Sequence, residues 1–174
     1  MKYAVIVVAG LLSYPAANVS AQGVTDAQIA SIVVVANRVD IDAGKLAKAR
    51  ATNQEVKAFA QLMITDHTGV NRSATDLVAR LKVTPQDNPT SQSLQAEGER
   101  NVANLKTLKG VAFDKAYVDH EVAYHQQVID ALDNTLIPGA TNAELKALLI
   151  KVRPAFVAHL EHAKRLQSSM SKGH

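Results

Sequence analysis

The chain has no cysteine among its 174 residues. That excludes thiol catalysis, cysteine-ligated zinc fingers and haem attached through a cysteine pair. It also excludes disulfides, so an exported chain of this kind relies on its core for stability. Aromatic residues are scarce, at 4%, and Ala, Val and Leu dominate, a mix that fills helix–helix interfaces better than a β-sandwich. No basic block interleaved with aromatics is present, so a nucleic-acid partner is not indicated. There is no His-Glu-x-x-His and no nucleophile elbow, and the serines cluster in loops and termini, which argues against hydrolases. There is also no strand-like alternation of useful length, no internal repeat and no low-complexity tract.

What is present is the balance of a soluble globular domain, 47% apolar and 20% charged. The first residues, "MKYAVIVVAGLLSYPAANVSAQG", read as a secretory signal peptide. Lys2 is its basic start, Tyr3 to Leu12 its apolar run, and Val19–Ala21 fits the small-x-small cleavage rule. Cleavage is expected after Ala21, leaving residues 22–174 as one exported, periplasmic domain. The formal charge of +3 then falls by one with Lys2. No later segment is apolar enough to span a membrane.

The rest reads as helix. Thr25 with Gln28 forms a capping-box signal opening a first helix, about 26–50. Thr52 with Glu55 repeats it for a second, about 53–82. "VTPQDNPTS" is a break. A shorter third helix follows, about 91–108, ended by Gly110. A fourth runs about 113–134, "NTLIPGATN" is a loop, and Thr141 with Glu144 opens a fifth, about 142–170. Pro154 inside the fifth predicts a kink. The expected fold class is all-α: an up-and-down bundle of four long helices with one additional shorter helix.

Apolar residues at alternating steps of three and four share one helical face. The second helix gives Val56, Ala60, Met63, His67, Val70, Ala74, Leu77 and Leu81, with His67 in a core slot and Asp66 on its shoulder. The first gives Ile29, Val33, Ala36, Asp40, Ala43 and Ala47, with Asp40 as its polar interruption. The fourth gives Val111, Asp114, Val118, Glu121, His125, Val128 and Leu132. In "AYVDHEVAYHQQV" this spacing turns Glu121 and His125 inward and the adjacent Asp119–His120 outward. Tyr117 and Tyr124 lie one step to the side of the stripe, where a packed ring can reach a buried acid with its hydroxyl. The fifth gives Val152, Phe156, His159, Ala163, Leu166 and Met170, with His162 at the boundary.

Each long helix therefore spends core positions on titratable groups. An unpaired group of that kind costs several kcal/mol, so burial implies mutual pairing or a bound cation. The levels agree. At 1.5 Å per residue, Asp40 and His67 lie about 18 and about 22 Å from their shared turn, and Glu121 and His159 about 20 and about 25 Å from theirs. Two readings follow. Asp40, His67, Asp114, Glu121, His125 and His159, with Asp66 and His162 at the margin, form a site for one transition-metal ion (zinc, copper, iron or manganese). Or they pair as Asp40–His67 and Glu121–His159 in a purely structural network within a non-catalytic envelope protein.

"DIDAGKLA", "VKAFAQLMITDH", "FDKAYVDHEVAYH" and "HLEHA" resemble the domain of unknown function 4142 family, over about residues 25–168. The most specific matches are Met63 with Asp66–His67, Phe113–Asp114 with Tyr117 and His125, and His159–Leu160. The resemblance implies exported bacterial proteins with a ferritin-like helical bundle. The family more often carries Glu where this chain has Asp40, and relatives often lack an acid at the position of Glu121. Ferritin-like di-iron sites use a Glu on two helices and Glu-x-x-His on the other two. This chain has no Glu-x-x-His, only Glu121-x-x-x-His125 and His159-x-x-His162, so a ferroxidase is not expected. A mononuclear site of two or three histidines with a carboxylate is, with Asp66 or Asp114 orienting the rings.

Overall fold

The computed structural model describes residues 23–172. The expected leader and its cleavage point lie outside the described residues. The fold is all-helical: α1 (Asp26–Arg50), α2 (Gln54–Arg80), α3 (Pro89–Thr107), α4 (Gly110–Ala131), a π-helical turn at Leu132–Leu136, a single turn α5 (Ile137–Gly139) and α6 (Ala143–Lys172). Among the described residues there is no strand, and no helix is long and apolar enough to cross a membrane.

Local chemistry fixes the ends of these helices. The Thr25 hydroxyl accepts from the Gln28 amide and the Gln28 side chain returns to the Thr25 amide, as the sequence predicts. The next cap is shifted by one residue. Asn53, not Thr52, caps α2, its side-chain oxygen accepting from the amides of Glu55 and Val56. At α6 the same shift recurs, with Asn142 accepting from the Glu144 and Leu145 amides. Asn competes well with Thr at this position because its longer acceptor reaches both orphan amides. In each case the displaced Thr hydroxyl bonds an acid from another helix: Thr52 reaches Asp114 and Thr141 reaches Asp26. Gly110 does not end α3. It opens α4 with φ +57, a left-handed conformation suited to glycine. The expected loop after α4 is instead the π turn and α5, and α6 runs through Pro154 as one helix.

α1 packs mainly on α2 and α3, and α4 mainly on α6. The contact of α3 with α1 is close at Gly98, where an added Cβ would stand 2.6 and 2.7 Å from the two γ-carbons of Val39. Valine is stiff at χ1 and cannot swing aside. Gly98→Ala is therefore expected to lower stability by about 1–3 kcal/mol through overpacking, outweighing the helix propensity it gains. Chemical denaturation measures this, and a stabilised variant would contradict the contact.

The core has two apolar parts. One contains Ile29, Val33, Leu77, Leu132, Leu149 and Phe156. The other contains Ala47, Phe59, Met63, Phe113, Tyr117 and Leu166. Along α1, α2 and α4 the change from one part to the other falls at Asp40, His67 and Glu121, and along α6 it falls beside His159. A polar layer thus crosses the middle of the helices.

Candidate metal centre

Asp40 comes from α1, His67 from α2, Glu121 and His125 from α4 and His159 from α6. All are at most 3% exposed. The three imidazole rings form a nearly equilateral triangle, with centroids 5.5, 5.4 and 5.4 Å apart. Each ring can present one nitrogen so that the three lie within 4.8 Å of one another. Ligand atoms bound to one zinc at about 2.0–2.1 Å stand about 3.4 Å apart in a tetrahedron, so small ring rotations close the set. Asp40, Glu121 and His125 form a second group at the same spacing, sharing His125 with the first.

Each ring is held from its outer side. His67 Nδ1 meets Asn37 Oδ1 at 2.8 Å, and Asn37 is itself fixed because its Nδ2 donates to the Val33 carbonyl. With that amide oxygen as acceptor, His67 carries its proton on Nδ1. His125 Nδ1 donates to the Glu121 carbonyl at 3.0 Å. His159 Nε2 donates to Asp66 Oδ2 at 2.9 Å. The opposite nitrogens, His67 Nε2, His125 Nε2 and His159 Nδ1, are buried without a hydrogen-bond partner. Three lone pairs therefore face the interior, each with its tautomer set by an outer acceptor, the arrangement that orients histidine ligands in metal sites.

The carboxylates complete the layer. Asp40 Oδ2 lies 3.0 Å from His67 Nε2 and 3.5 Å from His125 Nε2. These are close approaches without hydrogen-bond alignment, and both Asp40 oxygens are buried without a hydrogen-bond partner. Glu121 Oε2 lies 3.4 Å from His125 Nδ1, and its oxygens are likewise unpartnered. The Tyr117 hydroxyl neighbours Glu121 but also lacks a well-formed hydrogen bond.

Burial governs the protonation of these groups. Asp40 is pushed well above the usual carboxylate range by burial, then by the neighbouring Glu121 charge, with His125 opposing. Burial pushes Glu121 up to about 8, with Tyr117 opposing. Burial also holds His67 well below its ordinary value, reinforced by His125 and His159. His159 is lowered by burial, against the opposing pull of Asp66.

The two kinds of shift act on stability in opposite pH ranges. The protonated acids stabilise the metal-free fold fully below their unfolded values, near 4.5 for Glu121, and lose that contribution as pH rises through about 8. The neutral histidines contribute above 6.5 and lose it as pH falls. The melting temperature of chelator-treated protein is therefore expected to fall between about pH 6.5 and about pH 9, with Glu121→Gln flattening that fall. A melting temperature that rises across this interval would contradict buried, proton-holding acids.

The other residues singled out from the sequence stand elsewhere. Asp114 is buried as expected but does not join the layer. Its carboxylate accepts from the Thr52 amide, the Thr52 hydroxyl and the Asn53 amide, closing the turn between α1 and α2. Its oxygens are occupied there, so it neither ligates nor orients a layer histidine. His162 is half-buried and packs its edge on Phe59, 4.9 Å between centroids, outside the triangle. The expected Glu121–His159 pair is replaced by Asp66–His159, because Asp66 on the shoulder of α2 reaches α6 directly. Asp119 and His120 are half-buried rather than solvent-facing. Asp119 accepts from Lys115 and Gln167, and His120 stacks on Tyr124 at 5.5 Å. Asp40 is not the lone polar interruption of α1, since Ser31 and Asn37 are buried too. Asn37 was legible as a helix-disfavouring amide three residues before Asp40 on the same face. The Tyr124 hydroxyl donates to the Ala36 carbonyl rather than to an acid.

The family model "Domain of unknown function (DUF4142)" matches residues 12–166. The chain belongs to this family. No curated protein and no solved structure matches it. Within this DUF4142 chain, the buried His, Asp and Glu groups could hold a metal ion.

Proposed function

We propose that this protein is an exported, periplasmic bundle of the ferritin-like kind that binds one transition-metal ion in its polar layer. His67, His125 and His159 supply three nitrogens and Asp40 a carboxylate oxygen. The observation that carries this reading is the set of buried inward atoms without hydrogen-bond partners: three ring nitrogens and the oxygens of Asp40 and Glu121. A self-contained structural network would satisfy its members, since leaving each one bare costs about 1–3 kcal/mol. One cation takes up the three ring lone pairs and an Asp40 oxygen, and its charge offsets that of the carboxylates beside it.

Three nitrogens and one oxygen form a borderline donor set. Zinc, copper and iron suit it better than manganese, and far better than calcium or magnesium. Glu121 beside His125 balances the ion's charge. Asp66, half-exposed and bonded to His159, raises that ring's basicity as a carboxylate partner. With no di-iron motif, storage, sensing or weak redox chemistry at one ion is the supported range.

Elemental analysis of protein purified from an exporting host, followed by titration of chelator-treated protein with zinc and cobalt, tests the reading. About one equivalent per chain is expected, with cobalt giving the visible bands of a low-coordinate nitrogen site. Absence of uptake under both aerobic and reducing conditions would sink it. Asp66→Asn keeps the fold and is expected to weaken binding about 10–100-fold.

A further inference from the structure

Beside the histidine triangle lies a cavity of ≈ 430 Å³. It exists because α3 packs chiefly on α1 and touches α4 only lightly. The cleft between α3 and α4 has Leu149, Val152 and Phe156 of α6 among its lining residues, and it reaches His67. The π turn after α4 contributes Leu132 and Leu136 to the walls. Such turns are rare and concentrate where a helix has been re-aimed for function.

The lining defines the occupant. The interior walls are mainly aliphatic, with the rings of Phe156, Tyr124 and His67 among them, and two of the polar side chains that reach them are already committed. Asn37 is bonded to His67 and to the Val33 carbonyl, and Tyr124 to the Ala36 carbonyl. The exposed polar residues Thr90, Gln127 and Thr135 also line the cavity and offer hydrogen bonds towards solvent, and Ser93, whose hydroxyl donates to Glu97 at 2.8 Å, adds an acceptor. Glu97 is the one acidic side chain among the cavity residues, and it is exposed, whereas the basic His67 is buried. An apolar body inside, hydrogen-bonding groups outside and a single negative charge beside them favour an uncharged headgroup over an anionic one. The volume is within the range of sites for small organic ligands.

We infer that this cavity binds the acyl chain of a neutral single-chain amphiphile, with its hydroxyl-bearing head among Thr90, Ser93, Gln127 and Thr135. The inference stands apart from the metal reading, and its test uses chelator-treated protein so that failure of one leaves the other intact. The neutral fluorophore N-phenyl-1-naphthylamine reports apolar occupancy, and 1-dodecanol and dodecanoate compete for it.

One fluorophore per chain is expected, displaced by dodecanol at concentrations about tenfold lower than by dodecanoate. Glu97→Gln, at an exposed position, is expected to narrow that gap. Val128→Trp fills the cavity, and Thr135→Trp narrows it from an exposed position that the core does not need. Both are expected to lower fluorophore affinity about tenfold or more while circular dichroism shows unchanged helix. Fluorophore binding that survives both tryptophans undiminished overturns the cavity as the site. Bound fluorophore that dodecanol does not displace overturns the acyl-chain assignment, and equal displacement by dodecanoate overturns the neutral head.

Discussion

His125→Leu is expected to abolish metal binding while leaving the chelator-treated protein at least as stable as the parent. His125 stands in both groups of ligand atoms, with Nε2 unpartnered inside the triangle. Removing it leaves His67 and His159 without a third nitrogen and Asp40 without one of its two ring neighbours. Loss of an orienting partner alone weakens metal sites about 10–100-fold, so loss of a ligand is expected to exceed about 100-fold. Stability moves the other way. Leucine replaces a buried imidazole whose inward nitrogen is bare, and apolar replacement of poorly satisfied buried polar groups is often neutral or stabilising. The Glu121 carbonyl that accepts from His125 Nδ1 is a helix carbonyl and keeps its backbone role. Calorimetric zinc titration and chemical denaturation, run on the same sample, read the two effects. Should His125→Leu bind zinc as tightly as the parent, the triangle is not the site. Should it unfold instead, the structural network is the better reading.

Asp114→Ala is the complementary case, with a large expected loss of stability and no loss of metal affinity per folded molecule. The Asp114 carboxylate sits 1% exposed and accepts from the Thr52 amide at 3.0 Å, the Thr52 hydroxyl at 2.6 Å and the Asn53 amide at 2.8 Å. It thereby satisfies backbone donors at the α1–α2 turn that no helix bonds can reach. Bonds to a charged acceptor contribute about 1.5–3 kcal/mol, and stranding buried donors adds to the cost. A loss of about 3–4 kcal/mol is expected, a large share of the stability of a domain this size. Asp114→Asn keeps an acceptor and is expected to lose about half as much. A drop in zinc affinity for folded Asp114→Ala would return this residue to the metal layer.

The contrast between these two residues shows where the sequence stops. Asp114, Glu121 and His125 occupy the same stripe of α4, so periodicity assigns all three inward, and all three are buried. Periodicity gives the face of a helix but not the partner opposite each point on it. Asp114 lies two turns nearer the start of α4, where the α1–α2 turn comes across, and there a carboxylate meets free amides. Glu121 and His125 lie at mid-length, where α1, α2 and α6 present Asp40, His67 and His159. The expected levels of those residues agreed within about one helical turn by rise alone, which is why the convergence of the rings was legible in outline.

The amino-acid sequence by itself determined the all-helical class, the capping box at Thr25 and the burial of each inward acid and histidine. Those features follow from local spacing and local hydrogen bonding. Only the tertiary structure decided which acid meets which histidine, that Asn37 holds His67, and that Asp66 rather than Glu121 binds His159. It also decided that Asp119 and His120, the conspicuous pair in "AYVDHEVAYHQQV", rest half-buried on the flank. Pairing between helices depends on the rotation and offset of one helix against another. A shift of one residue turns a helix by about 100°, so a small difference in packing exchanges one partner for another while every helical stripe stays the same.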